Sequence, residues 1–182
     1  TVARHFGELQ THPVKRIIGE STTVSTIVDD AMRPPAAFPW HTDLSWLARP
    51  PRYGFLQALE IPDHGGDTMW ADLGGAYREI PADLRRFVGG LSAVHGLDAS
   101  LTASVRRHQG DDVARELVRR HRPVAHPLVR AHPSSGDPVL YLCPMYLRSV
   151  VGLEPAESGA LLRRLHSVLD DPRLSIRWSW TV

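Results

Sequence analysis

The chain has 182 residues, 42% of them hydrophobic and 23% charged, enough for one globular domain with a substantial buried core. Its 21 basic and 20 acidic residues leave a net charge of +1, and the arginines fall in scattered pairs such as Arg85-Arg86 and Arg163-Arg164, so no polyanion-binding field exists and nucleic acid is not an expected partner. No stretch approaches the roughly 18 apolar residues of a membrane span, no signal-peptide layout opens the chain, and the single cysteine, Cys143, excludes an internal disulfide framework; a cytoplasmic protein without membrane contact is expected.

Thr1 to Phe6 reads as the end of a helix stopped by Gly7, so the chain reads as cut at its start. Glu8 to Val14 is expected to be extended, with His12 held in β or polyproline geometry by Pro13. Thr22 to Val28, rich in Thr, Val and Ile, predicts a strand, and the prolines between Asp29 and Pro39 predict a loop. A strand carrying His41 follows and is closed by Pro50-Pro51. Tyr53 to Ile61 is an apolar run with aromatic residues and predicts a strand buried on both faces or nearly so.

Gly65-Gly66 predicts a turn. The spacing of Leu84, Phe87, Val88 and Leu91 predicts helix across 76–91, interrupted around Pro81, and Asp111-Asp112 opens a further short helix. Two strands, Leu128 to Arg130 and Val139 to Leu142, flank a turn at Pro133 to Asp137. Pro155 begins a helix with Leu161, Leu162, Leu165, Val168 and Leu169 on one stripe, ended by Asp170-Asp171-Pro172. Ile176, Trp178 and Trp180 alternate with polar residues in a last strand. Many short strands with helices at the margins suggest a β-rich α+β domain, for which a jelly roll is the natural container.

The chemistry centres on Trp40-His41-Thr42-Asp43. On a helix His41 and Asp43 would diverge by about 200°, whereas on a strand both project from one face and Thr42 points away. An imidazole and a carboxylate so placed can share one small cation, and one more histidine would complete the two-histidine, one-carboxylate triad of non-haem Fe(II) oxygenases. The tripeptide alone is weak, since a chance His-x-Asp is expected about once in such a chain, and a surface histidine beside a solvated aspartate remains the alternative.

Further stretches line up with it: Phe6-Gly7-Glu8-Leu9 with His12-Pro13-Val14, Gly65-Gly66-Asp67-Thr68-Met69-Trp70-Ala71, His126-Pro127-Leu128-Val129-Arg130 with His132-Pro133, Val151-Gly152-Leu153, and Ile176 to Trp180. Together they resemble the taurine dioxygenase family of Fe(II)- and 2-oxoglutarate-dependent dioxygenases, nearest in look to its alkylsulfatase branch. The resemblance implies a single jelly-roll (double-stranded β-helix) domain over 1–182 with flanking helices, incomplete at both ends. It implies His41 and Asp43 as catalytic iron ligands and Thr68 as a donor to the distal carboxylate of 2-oxoglutarate. It implies His12, Leu44 and Tyr146 at the substrate, and hydroxylation of a small anion such as an alkyl sulfate or sulfonate, with dioxygen consumed and succinate and CO2 released. Asp67, Trp70 and Arg148 are expected to be structural. Ala36 and Ala37, where taurine-specific members offer polar side chains, argue against taurine itself.

The family's distal histidine ligand and its carboxylate-clamping arginine have no counterpart in these 182 residues, and no motif assigns another histidine, such as His126 or His132, in their place. Two of three iron ligands and half of the cosubstrate site are therefore implied, and the 182 residues alone are not expected to be active. A non-catalytic ligand-binding or interaction remnant of the same fold is the second reading. A zinc hydrolase of cupin-like fold is a third, without a motif in its favour. Homo-oligomerisation is left open.

Overall fold

The computed structural model describes residues 2–28 and 39–181. The expected loop across Asp29 to Phe38, with Ala36 and Ala37, lies outside the described residues. A short 3-10 turn, Val2–Phe6, ends at Gly7, whose φ of 134° few other residues tolerate. His12 has the polyproline-like φ of −57° and ψ of 136° expected before proline, but the chain then turns into helix α1, Pro13–Ile17. Proline at the first helical position costs no hydrogen bond, because that N–H would be unpaired anyway.

Strand β1, Thr68–Ala71, leads into helix α2, Leu73–Glu79, and α3, Ala82–Val88, so the predicted interruption falls at Ile80-Pro81. Next come β2, Ser92–His95, then α4, Ala99–Gln109, and α5, Asp111–Arg120. Strands β3, Val124–Pro127, β4, Val129–Ala131, β5, Pro138–Leu140, and β6, Leu147–Val150, precede α6, Pro155–His166. Strand β7, Ser175–Trp178, is the last element. Helix α6 starts with proline and a capping box in which Glu154 and Glu157 exchange hydrogen bonds with each other's backbone.

Three antiparallel sheets result: a β1–β7 ribbon, a three-stranded sheet in the order β3–β2–β6, and the β4–β5 hairpin. Thr68 pairs with Trp178 and Ala71 with Ser175 in the ribbon. Among the described residues these sheets do not close into a barrel.

Two apolar clusters hold the elements together. The first joins Ala76, Ile80, Leu84 and Val88 along α2, α3 and their junction to Ala93, Leu140 and Val150 of the sheets, to Leu128 between β3 and β4, and to Leu161, Leu162 and Leu165 of α6. Leu165 is fully buried, which contributes about 2 kcal/mol of transfer free energy. Phe87, expected on the same stripe as Leu84 and Val88, is instead 52% exposed. The second cluster contains Trp46, Val105, Ala114, Leu117, Cys143 and Tyr146, with Leu44 and Leu101 packed against it. Helix α4 belongs to it and was not anticipated. Its signal is Asp98, whose carboxylate accepts from the Ser100 and Leu101 N–H groups, followed by Leu101 and Val105 one turn apart.

Three expected strands are not formed. Among the described residues Thr22 to Val28 and Tyr53 to Ile61 run without ladder partners, and most of their apolar side chains are exposed, including Ile27 at 77% and Leu59 at 68%. Tyr53 and Phe55 pack against Phe6 at centroid distances of 5.4 and 5.2 Å. The stretch around His41 is also not a strand. β-propensity measures fit to a pleated, half-buried surface, and a strand forms only where a partner supplies the ladder.

Candidate functional site

Asp43 opens a turn that runs to Trp46, with Ser45 N–H donating to the Thr42 carbonyl at 3.3 Å and Leu47 N–H to the Leu44 carbonyl at 2.9 Å. Leu44 has φ of 55°, left-handed backbone that a branched side chain rarely adopts and that costs on the order of 1–2 kcal/mol. His41 and Asp43 thus reach one another across a bend rather than along a strand face. They also lie at the surface rather than inside a sandwich, with side chains 34% and 77% exposed.

The pair is nevertheless brought together. His41 Nε2 is 3.3 Å from Asp43 Oδ1, and His41 Nδ1 is 3.0 Å from the Pro39 carbonyl. The Asp43 hydrogen bond raises the His41 pKa above its ordinary value, and the same bond holds the Asp43 carboxyl below its own. With Nδ1–H donated to Pro39, Nε2 is the nitrogen that meets the carboxylate, donating its proton to Asp43 Oδ1 when the ring is charged, and a cation would take that proton's place. That is the arrangement of metal-ligating histidines, which tie the second ring nitrogen to a carbonyl. The two donors therefore fit a divalent cation; among the described residues no group of three or more His, Cys, Asp or Glu side chains is placed to hold one.

Three other expected site residues converge on this turn. The negative charge of Asp43 acts on His12, partly offsetting the burial that lowers the His12 pKa. His12 Nδ1 accepts from Val14 N–H at 3.2 Å, so the neutral ring carries its proton on Nε2 and can donate there. Leu44 and Tyr146 meet in the second cluster, and burial, then the charges of Asp98, Cys143 and Asp43, push the Tyr146 hydroxyl up to about 12. Thr68 stands elsewhere, on the β1–β7 ribbon, where its Oγ1 accepts from Trp180 Nε1–H at 2.9 Å. Asp67 is ion-paired to Arg177 across that ribbon at 3.3 Å, and Arg148 donates to the Met145 and Gly96 carbonyls, contacts within the fold that suit the structural roles expected of them. A groove along α1 and α4 is lined by His12, Lys15 and Leu101 but by neither His41 nor Asp43.

Sequence reasoning missed what lies beneath the turn. Cys143 is buried and forms no disulfide, and its sulfur does more than fill space. Thr42 N–H and Ser45 Oγ–H both donate to its sulfur at 3.3 Å. Buried His95 of β2 reaches Ser45 Oγ through Nδ1 at 3.1 Å, and His126 of β3 donates Nε2–H to the Ser45 and Leu47 carbonyls at 3.0 and 2.9 Å. Tyr141 stacks on His95 at 5.2 Å. The only sequence signal was His126 inside a matched motif; for Cys143, Ser45 and His95 there was none.

Burial, then the charges of His126, Arg130 and Arg148, pull the His95 pKa from 6.5 to about 4. Folded protein therefore binds fewer protons than unfolded chain between those values, so the stability from neutral His95 is complete above pH 6.5 and lost as pH falls toward 4. Burial lowers His12, His121 and His166 in the same direction. Urea midpoints should fall by a few tenths of a molar or more from pH 7 to pH 5, and less in His95→Gln; the same drop in both proteins would show that His95 does not carry it.

Residues 1–182 match the family model described as taurine catabolism dioxygenase TauD, TfdA family. The chain belongs to this family. It is 30% identical to an alkylsulfatase of Acinetobacter baylyi, over 99% of this chain and 58% of that protein. It is 31% identical to an alpha-ketoglutarate-dependent sulfonate dioxygenase of Saccharomyces cerevisiae, over 97% of this chain and 44% of that protein. The crystal structure of a taurine dioxygenase from Burkholderia xenovorans superposes with a TM-score of 0.65 at 36% identity, covering 79% of this chain and 44% of that one. The chain thus spans about half the length of the relatives it matches. This TauD/TfdA likeness bears out the expected jelly-roll class with both sheets and helices.

Proposed function

We propose that this chain carries part of the Fe(II) and 2-oxoglutarate site of a dioxygenase that hydroxylates a small organic anion, with His41 and Asp43 as iron ligands. The observation that carries the reading is the 3.3 Å approach of His41 Nε2 to Asp43 Oδ1, with Nδ1 committed to the Pro39 carbonyl. Family membership supplies the chemical class. When bound, iron and 2-oxoglutarate supply the oxidising power for attack on a substrate C–H bond. One atom of dioxygen enters that bond, the other enters succinate, and 2-oxoglutarate loses CO2 while giving two of the four electrons. A carbon hydroxylated beside a sulfate ester then collapses to an aldehyde and sulfate.

The chain's own residues bind and orient. The Nε2–H of His12 is available to an anionic oxygen, and Leu44 and Tyr146 present an apolar wall beside Asp43. The Tyr146 phenol, neutral near pH 7 with or without the upward push of burial, adds no charge that would repel a sulfate or sulfonate. These features favour an alkyl sulfate or sulfonate with an apolar tail, the classes named for the Acinetobacter and yeast relatives. Preferential turnover of taurine over every longer-chain anion would overturn that choice. Thr68, oriented by the Trp180 indole, keeps its own hydroxyl proton free to donate to the distal carboxylate of 2-oxoglutarate.

Anaerobic addition of Fe(II) and 2-oxoglutarate to the complete protein should develop the visible charge-transfer band of the chelate. Thr68→Val should raise the 2-oxoglutarate concentration at half-saturation by about tenfold, the loss of one hydrogen bond to a charged group, without abolishing the band. No band in the complete protein would sink the iron reading; an unchanged titration in Thr68→Val would remove only Thr68.

A further inference from the structure

We propose that Cys143, backed by Ser45 and His95, is a positioning residue that sets the spacing of His41 and Asp43 through the backbone between them; this rests on the iron-site reading above. Thr42, the residue between the two proposed ligands, donates its N–H to the Cys143 sulfur at 3.3 Å, and its carbonyl lies 3.7 Å from the same sulfur, in reach of the thiol proton. Ser45, two residues beyond Asp43, gives its hydroxyl proton to that sulfur as well. With the serine proton committed, His95 Nδ1–H is the donor to Ser45 Oγ. The chain of bonds therefore runs from β2 through Ser45 and Cys143 to both backbone groups of Thr42.

Every side-chain member of this relay is buried: Cys143, Ser45 and His95 each show 0% exposure. A second attachment comes from β3, where His126 holds the Ser45 and Leu47 carbonyls. The turn beneath the His41–Asp43 pair is fastened to two strands of one sheet and to the segment after β5. This also accounts for the left-handed Leu44, since a strained residue persists only where its surroundings over-determine it. Removing the sulfur frees the Thr42 N–H and Ser45 hydroxyl, and Leu44 can relax. His41 and Asp43 then spend less time at one cation's separation.

The test is anaerobic titration of the complete protein with Co(II), read by its visible absorption, alongside thermal unfolding. Cys143→Ala should weaken Co(II) binding by about tenfold or more, as expected for groups that orient metal ligands, and should alter the absorption envelope. Cys143→Ser keeps a donor and an acceptor and should restore affinity to within about threefold of wild type, an outcome that packing volume alone would not produce. If Cys143→Ala fails to fold, Ser45→Ala interrupts the same relay and should show the same weakening. Wild-type affinity and spectrum in folded Cys143→Ala or Ser45→Ala, with only a lowered Tm, would overturn the positioning role while leaving the iron site standing. Wild-type Co(II) affinity in His41→Ala would overturn both.

Discussion

Replacing His41 or Asp43 with alanine is expected to reduce 2-oxoglutarate-coupled succinate release in the complete protein to the level seen without enzyme. Each replacement removes one of the two donors that the turn presents, and open coordination sites depend on ligand number and geometry for both retention and orientation of the metal. The two losses differ in kind. Asp43→Ala removes the carboxylate of the pair, while His41→Ala removes the nitrogen whose tautomer is set by the Pro39 carbonyl. Neither variant should unfold, because Asp43 is 77% exposed, the His41 side chain is 34% exposed, and ion pairs at the surface contribute little to stability. Succinate measured by mass spectrometry, with circular dichroism as the control, checks this. Normal succinate yield from either folded variant would end the proposal that this turn holds the iron.

Trp46→Ala should cost about 3–5 kcal/mol of folding free energy, a large part of what a domain of this size holds. Trp46 is 1% exposed, sits three residues beyond Asp43 and anchors the second cluster, with its ring edge-on to His121 at 4.9 Å. Its loss would leave a cavity between the turn, α4 and α5 that helices bound elsewhere cannot fill by relaxing. Trp46→Phe should cost far less. The indole Nε1–H meets no partner at full hydrogen-bond geometry among the described residues and makes at most a weak bond to the Tyr146 hydroxyl, so the phenyl ring gives up little there. Urea unfolding followed by fluorescence, with separate metal titration, distinguishes lost stability from lost binding. A Trp46→Ala protein within about 1 kcal/mol of wild type would show that the cluster does not carry the turn.

The sequence was informative wherever a local rule decides the outcome. Pro155 and the leucine stripe placed α6, Asp111-Asp112 placed α5, and the Pro133 to Asp137 turn placed the β4–β5 hairpin, because caps, periodicity and turn chemistry act within a few residues. Gly65 and Gly66, with φ of 82° and 76°, take the left-handed backbone that a glycine pair permits, directly after a bend at Asp63-His64 rather than as the turn itself. His41 and Asp43 were legible as a pair because two residues are few enough for either a strand or a bend to keep them adjacent. Whether Thr22 to Val28 and Tyr53 to Ile61 become strands was not legible, since a ladder needs a partner that the segment itself cannot specify. Cys143, 101 residues from Thr42, and His95, 50 from Ser45, carry no local pattern at all. Only the packing of β2, β3 and the segment after β5 against one turn decided that a thiol and two histidines would support the proposed ligands, because hydrogen bonds between distant residues exist only once the chain has brought them within about 3 Å.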